Sequence, residues 1–309
     1  MALETSNTLA SICARDHVTL TANGSMAIYA ALKALDLPPQ SGVMMPSICC
    51  PAVLSAIQLA GHKPIIADVD LVTFSTERKQ AELAYTSDCK VIIAVHAYGR
   101  PCDIASLHQF CLDKGIVLIE DACLAYGNNI EDRPIGSFGD ISILSFGYDK
   151  PLSIGGGGSV MTNDGEIATR MNNLVEQNPI LSMPSETKKL LDEQLPLLPE
   201  YVRARITNSK RYCAQITAKN INCPEPTWGY WRLPILAKTN RNEIVKAAAK
   251  NDVIITTHYR SLSGLATQAT TPNADRIDQQ IMNLFVRAET SAAEIEHTIS
   301  FLNEHADDQ

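Results

Sequence analysis

Hydrophobic and polar positions alternate between helical and strand patterns along the first half of the chain. Residues 24–36 carry apolar side chains at helical spacing, and the Leu-Pro-Pro after Asp36 ends this predicted helix. Short apolar runs predict strands at Val43–Pro46, Pro64–Val69, Lys90–Ala97, Ile116–Ala122 and Ile141–Phe146, with helices at Pro51–Ala60 and Ile104–Lys114. This alternation predicts an α/β fold with a mainly parallel central sheet covered on both faces.

The pattern changes after the glycine run Gly155–Gly158. Residues 165–176 and 200–219 are predicted helices, whereas 177–200 are rich in Pro, Leu and charge and have no clean period. Further elements are predicted at Tyr230–Leu236 (strand), Arg241–Asn251 (helix), Val253–Thr257 (strand) and Ala292–His305 (helix). We therefore expect a large domain at 1–200 and a smaller C-terminal α/β domain at 201–309.

Composition and charge narrow the class of protein. The 309 residues are 45% apolar and 19% charged, as in globular proteins, and the net charge of −8 argues against nucleic-acid or anionic-membrane partners. The opening residues have no basic segment followed by an apolar stretch, and no run approaches the roughly 20 apolar residues of a membrane span. We expect a cytoplasmic protein that acts on small molecules.

The nine cysteines are scattered without a Cys-x-x-Cys pair. In the cytosol thiols stay reduced, and cysteine is often a buried residue. Reduced thiols are therefore expected, rather than a disulfide framework or a metal site.

Three segments place polar residues at strand ends or helix starts, where ligands bind in open α/β sheets. The first is Asn23-Gly24-Ser25-Met26, whose glycine and hydroxyl open a helix with free N–H groups suited to a phosphate. An ordinary helix cap is the alternative, because Asn, Gly and Ser are common capping residues.

The second segment is a strand that ends in two adjacent carboxylates, Glu120 and Asp121. Successive strand residues face opposite sides, so at most one of them points into a given site. A buried carboxylate needs a cation or good donors, and a protonated pyridine nitrogen is such a cation. A carboxylate that caps the next helix is the alternative.

The third segment, Ser145–Lys150, follows a buried strand and precedes the glycine run. A lysine in this position is a candidate desolvated amine that forms an imine, although a surface lysine is the alternative. A phosphate cup, a carboxylate for a ring nitrogen and a lysine together are the parts of a pyridoxal 5′-phosphate (PLP) site.

The sequence also resembles the DegT-type family of sugar aminotransferases. The resemblance runs through NGSMAIYAAL, MMPSICCPAVLSAIQLAGHKPIIADVD, VIIAVHAYGRPCDI, VLIEDACLAYG, IGSFGDISILSF and the lysine-to-glycine segment that ends SVMTND. It implies a fold-type-I PLP enzyme, Lys150 as the Schiff-base lysine, Asp121 as the partner of the pyridinium and His96 as a catalytic residue beneath the cofactor. For His96, a core histidine satisfied by its neighbours is the alternative.

The resemblance also implies the remaining cofactor positions. They are Gly24, Ser25, Met26, Cys50, Leu124 and Ser145, together with Asp121 and Lys150. Departures from the family pattern occur at three places: Cys50 replaces an aromatic that stacks on the cofactor, Leu124 replaces a Gln or His, and Gly156 replaces a glutamate. The segment 177–200 is much shorter than the family's, which contacts cofactor and substrate in the partner subunit.

The expected function is transfer of an amino group from an amino-acid donor to a carbonyl acceptor, by a homodimer. The acceptor is a keto-sugar or a smaller keto compound, and the departures favour a smaller one, with Trp228, Tyr230, His258 and Tyr259 as candidate contacts. Two alternatives stay open: other PLP chemistry, such as lyase, racemase or decarboxylase activity, and a non-catalytic member that binds a ligand.

Overall fold

The computed structural model describes residues 2–265 and 270–307, with side chains from Thr5 onwards. Its helices are α1 (Ala2–Cys13), α2 (Gly24–Ala34), α3 (Pro51–Leu59), α4 (Arg78–Ala84), α5 (Ile104–Lys114), α6 (Gly165–Gln177), α7 (Ser185–Gln194), α8 (Leu198–Gln215), α9 (Arg241–Lys250), α10 (Pro272–Gln280) and α11 (Ala292–His305). Its strands are β1 (His17–Thr21), β2 (Gly42–Pro46), β3 (Lys63–Ala67), β4 (Cys89–Val95), β5 (Val117–Asp121), β6 (Asn129–Ile130), β7 (Arg133–Pro134), β8 (Ile141–Ser145), β9 (Gly158–Thr162), β10 (Ile221–Asn222), β11 (Leu233–Ala237) and β12 (Ile281–Leu284).

The central sheet has seven strands in the order β1-β9-β8-β5-β4-β2-β3. Strands β3, β2, β4, β5 and β8 run parallel to one another, while β9 is antiparallel to both β8 and β1. The inner strands are apolar and buried on both faces, because helices pack on either side. The predicted α/β fold with a mainly parallel sheet is confirmed.

A second, three-stranded antiparallel sheet has the order β10-β11-β12. Its core is continuous with the first part of the chain, since Ile235 and Leu284 belong to the same buried cluster as Tyr98 and Leu124. Helix α8 crosses residue 200, where the domain boundary is predicted. The division into two domains stays a prediction.

Two predictions from hydrophobic periodicity are wrong. The segment 177–200, predicted to be irregular, contains α7 and the start of α8, and it buries Leu191 and Leu195. The residues Val253–Thr257 do alternate between buried and exposed, but they pair with a neighbouring strand through one bridge, between Thr256 and Asn283. A strand needs a partner strand along its length, and an alternation of burial in one segment does not show whether such a partner exists.

All nine cysteines are free thiols in the structure. Within residues 2–265 and 270–307, none of the helices combines the length and apolar character that a membrane crossing requires.

Candidate active site

The two neighbouring carboxylates at the end of β5 face opposite sides of the sheet, as their adjacency requires. β5 lies between β4 and β8, and Asp121 is paired with Val95 on one side and Ile143 on the other. Asp121 lines a cleft on one side, whereas Glu120 is fully buried on the other. The carboxylate available to a ligand is therefore Asp121.

A narrow cleft lies at this end of the sheet. Its lining residues come from several strand ends and one loop of the C-terminal part: Ile48, Cys49, Cys50, Val95, Ala97, Asp121, Cys123, Leu124, Lys150 and Tyr259. The cleft thus brings together Asp121, Lys150, Cys50 and Leu124, four of the residues predicted from the sequence.

Asp121 is held as a buried carboxylate. Its side chain is 6% exposed, and its Oδ1 accepts a hydrogen bond of 3.0 Å from the backbone N–H of Cys123. The pKa of the Cys123 thiol is raised well above its usual value, mainly by burial and further by the charge of Asp121. Cys123 therefore presents a neutral thiol beside the carboxylate.

The N-terminus of α2 lies beside the cleft, in close contact with two site residues. A Cβ placed on Gly24 would lie 2.9 Å from Ser145 Cβ and 3.4 Å from Cys123 Sγ. A Cβ on Gly158, the last of the glycine run, would lie 2.6 Å from the carbonyl carbon of Asn23. Glycine is therefore required at both positions for the backbones to approach each other.

The N-cap of α2 already uses the Met26 N–H, which is one of the groups predicted to bind the phosphate. The Asn23 side chain accepts a hydrogen bond of 3.0 Å from the Met26 N–H, so this N–H group already has a partner. Both interpretations of the segment are thus present together: Asn23 is an N-cap, and the start of the helix faces Ser145. A phosphate at this place would compete with Asn23 for Met26.

Lys150 stands in a turn that follows β8. Its N–H donates to the Gly147 carbonyl at 3.3 Å, and its side chain is half-buried and lines the cleft. The surface-lysine alternative does not fit this position. Lys150 and Asp121 face the same space, although they are far apart in sequence.

His96 is placed elsewhere. Its Nε2 lies 3.1 Å from Glu120 Oε1, and its Nδ1 accepts a hydrogen bond of 3.2 Å from the Cys102 N–H, so Nε2 is the protonated nitrogen. The ring is fully buried and is not among the residues that line the cleft. The geometry favours the alternative of a core histidine satisfied by its neighbours, and a catalytic role for His96 has no support in these contacts.

The aromatic residue at the cleft is Tyr259. Its ring stacks on Trp231 with centroids 5.4 Å apart and an angle of 13°, and its N–H donates to the Tyr98 hydroxyl at 3.0 Å. The pKa of the Tyr259 phenol is raised well above its usual value, mainly by burial and further by the neighbouring Cys50. Tyr259 therefore offers a fixed, neutral ring in the cleft that Cys50 also lines.

The other three candidate substrate contacts differ in exposure. Tyr230 is fully buried and donates its hydroxyl to the Glu225 carbonyl at 2.8 Å, so it is a core residue. Trp228 is half-buried against the core of the C-terminal sheet, and His258 is exposed beside Tyr259. Sequence reasoning missed Cys49 and Cys123 as site residues, although Cys123 follows Asp121 by two positions and so shares its side of the chain.

Comparison with known proteins assigns the family. Residues 3–189 match the model of the DegT/DnrJ/EryC1/StrS aminotransferase family, and the chain belongs to this family. It is similar to GDP-perosamine synthase of Escherichia coli O157:H7, with 34% identity over 148 residues, which are 48% of this chain and 41% of that protein. It is also similar to UDP-N-acetyl-3-dehydro-alpha-D-glucosamine 3-aminotransferase of Acidithiobacillus ferrooxidans, with 28% identity over 284 residues, 85% of this chain and 77% of that protein.

Solved structures show the same fold over almost the whole chain. The aminotransferase TlmJ from Streptoalloteichus hindustanus has a TM-score of 0.92 at 22% identity, covering 98% of this chain and 89% of that chain. The fold is thus that of the fold-type-I PLP-dependent transferases. The match to the E. coli synthase spans less than half of that relative's length.

Proposed function

We propose that this protein is a PLP-dependent aminotransferase that moves an amino group from an amino-acid donor to a carbonyl acceptor. The observation that carries the proposal is that Asp121 and Lys150 line one cleft. The N-terminus of α2 lies beside that cleft, against Ser145 and Cys123. The family to which the chain belongs and the names of its relatives support the same reaction.

The residues present fit the parts of PLP. The close approach of Gly24 to Ser145 forms a cradle that any Cβ on Gly24 would fill, and it would hold the phosphate with backbone N–H groups at the start of α2 and the Ser145 hydroxyl. Asp121, which is buried, would keep a proton on the ring nitrogen through a charge-assisted hydrogen bond. The thiols of Cys50 and Cys123 line the space for the ring.

Bound PLP would supply an aldehyde that reacts with amines and a protonated ring that withdraws electrons. Lys150 would hold the cofactor through its Nζ and, once released by the donor, would move a proton with the same amine. The apolar walls formed by Ile48, Val95 and Leu124 would exclude water from that amine.

Relatives named as sugar aminotransferases support a keto-sugar as the acceptor. We also propose, from the family resemblance, that the protein is a cytoplasmic homodimer, and from the two separate sheets that its domains are 1–200 and 201–309. A mass measurement in solution tests the dimer, and separate expression of the two segments tests the domains.

The proposal is tested by Lys150→Ala. The purified wild-type protein with added PLP should show visible absorption that glutamate alters, because the amine of Lys150 binds the cofactor. The variant should lose both while its circular dichroism is unchanged, and Lys150→Arg should fail equally because a guanidinium does not deprotonate usefully. Lys63→Ala, which removes an exposed lysine, is the matched control. Wild-type absorption and turnover in Lys150→Ala would refute the assignment.

A further inference from the structure

The residue before Lys150 has an unusual backbone conformation. Asp149 has φ 62°, in the left-handed region that residues other than glycine occupy rarely. It is also 2% exposed, and its N–H donates to Ser153 Oγ at 2.9 Å. A conformation of this kind costs free energy and persists only where the surroundings fix it, and such residues cluster at functional sites.

The Asp149 carboxylate is fixed by an arginine from the C-terminal part of the chain. Arg232 Nε lies 2.7 Å from Asp149 Oδ2, and the two side chains are 7% and 1% exposed. The guanidinium carbon of Arg232 lies 4.3 Å from the centroid of Trp231 and 4.4 Å from that of Phe285. The planar group thus lies against two aromatic rings, a contact that a lysine ammonium could not reproduce.

A second buried arginine holds Lys150 itself. Arg205, in α8, donates from Nη2 to the Lys150 carbonyl at 2.9 Å and from Nη1 to the Trp231 carbonyl at 2.6 Å. Arg205 is 3% exposed. Two consecutive residues of this turn are therefore held by different parts of the chain: Lys150 by Arg205 of α8, and Asp149 by Arg232, which directly precedes β11.

We propose that Asp149, Arg232 and Arg205 are positioning residues that hold the Lys150 amine at the cleft, so that the reactivity of this lysine depends on the C-terminal part of the chain. The proposal rests on the function proposed above. A buried ion pair adds little net stability compared with apolar residues, and its best-attested use is to specify one arrangement. Here the arrangement specified is the turn that carries Lys150.

Two variants disrupt the geometry of the ion pair while keeping its surroundings. Asp149→Asn keeps the shape and tolerates the left-handed backbone, because asparagine is enriched there. Arg232→Lys keeps the charge and loses the planar donor. Each is incubated with PLP, the adduct is fixed by borohydride, and the rate at which the Lys150 peptide is labelled is measured by mass spectrometry.

We expect labelling of Lys150 to slow by about tenfold or more in both variants, since small misplacements of a reacting group cost this much or more. The turnover number should fall with little change in KM for the donor. In the double variant Asp149→Asn/Arg232→Lys the effects should not add, because both changes disrupt the same interaction. Glu296→Gln, which breaks the Arg211 ion pair between α8 and α11, is the control and should label at the wild-type rate.

Labelling at the wild-type rate in Asp149→Asn, with only a lower melting temperature, would overturn the proposal and leave the function standing. If Asp149→Asn does not fold, the same comparison for Arg232→Lys decides. Wild-type protein labelled at other lysines and not at Lys150 would overturn both this inference and the assignment of Lys150.

Discussion

Replacing Glu120 by glutamine should lower the free energy of unfolding and leave the cleft, which Glu120 does not line, unchanged. Glu120 Oε1 accepts from the Gly136 N–H at 2.7 Å, and Oε2 accepts from the N–H groups of Phe138 and Gly139 at 2.7 and 3.0 Å. His96 also lies against Oε1. In Glu120→Gln one oxygen becomes an NH₂ group, so at least two donors face another donor.

The magnitude follows from these contacts. A buried donor left without its acceptor costs about 1–3 kcal/mol, and removing one partner of a buried charge cluster costs about 3–5 kcal/mol. The Arg15 guanidinium, 3.9 Å from Oε2, also loses its counter-charge. We therefore expect a loss of about 3–5 kcal/mol, which corresponds to a melting temperature lower by roughly 10 °C.

The assay is thermal unfolding followed by circular dichroism across a range of pH. Burial raises the pKa of Glu120, but hydrogen bonds from His96 and the backbone N–H groups outweigh this effect, so the pKa lies below its usual value. A lowered pKa in the folded state contributes stability above the unfolded value of about 4.3, and this contribution is lost as pH falls through the folded pKa. The difference in melting temperature between the wild type and Glu120→Gln should therefore become smaller at acid pH.

Glu166→Gln, at a side chain that is 90% exposed, is the control and should change the melting temperature little. A melting temperature for Glu120→Gln within about 2 °C of wild type at neutral pH would refute the reasoning, because such a shift corresponds to at most about 1 kcal/mol.

Three further changes test the site. Asp121→Asn should lower turnover by orders of magnitude with a smaller loss of PLP affinity, and normal turnover there with loss in Glu120→Gln would show that the wrong carboxylate was chosen. Gly24→Ala should weaken PLP binding measured by equilibrium titration, because its Cβ would lie 2.9 Å from Ser145 Cβ, and unchanged binding would contradict the cradle. Cys50→Phe should tighten PLP binding by about 1 kcal/mol or roughly fivefold through ring stacking, and weaker binding would show that the ring does not lie there.

Local periodicity predicted the strands and helices of the central sheet well, because each buried strand is a short apolar run bounded by polar residues. The helix Ile104–Lys114 was predicted with the observed bounds. Two strands of this sheet were missed: β9, which begins within the glycine run, where no side chain shows burial, and the edge strand β1. The segment 177–200 was misjudged because prolines at 184, 196 and 199 obscure its helices, although Pro184 caps α7 and Pro199 lies in the first turn of α8.

The candidate site could be predicted where a residue's role depends on its place in the chain, as for Asp121 at a strand end. It could not be predicted where the role depends on distant residues. His96 is satisfied by Cys102 nearby, but also by Glu120, which the sequence places in another strand. The aromatic ring at the cleft comes from Tyr259, which is far along the sequence from Cys50, the position where the family pattern places an aromatic residue.

The size of the acceptor follows from the same features, and it is the last prediction. The shortened segment 177–200 packs on its own chain, with Leu191 and Leu195 buried and Thr187 near Gly157, so these residues are committed to this subunit. Tyr259 narrows the cleft beside Cys50. We therefore predict that the acceptor is smaller than a full nucleotide-sugar, or is bound chiefly by the C-terminal part around Tyr259.

A panel of free keto-sugars, nucleotide-linked keto-sugars and small keto acids, each offered with glutamate, measures kcat/KM for every acceptor. The free keto-sugars or keto acids should be used at least as well as the nucleotide-linked ones, because the nucleotide finds little surface to contact. Tyr259→Ala should then lower kcat/KM for the preferred acceptor by about tenfold, since it removes a half-buried aromatic contact, while Leu83→Ala, at an exposed position in α4, serves as the control. Efficient use of a nucleotide-sugar and none of the small acceptors would refute the prediction, and the PLP site would still stand.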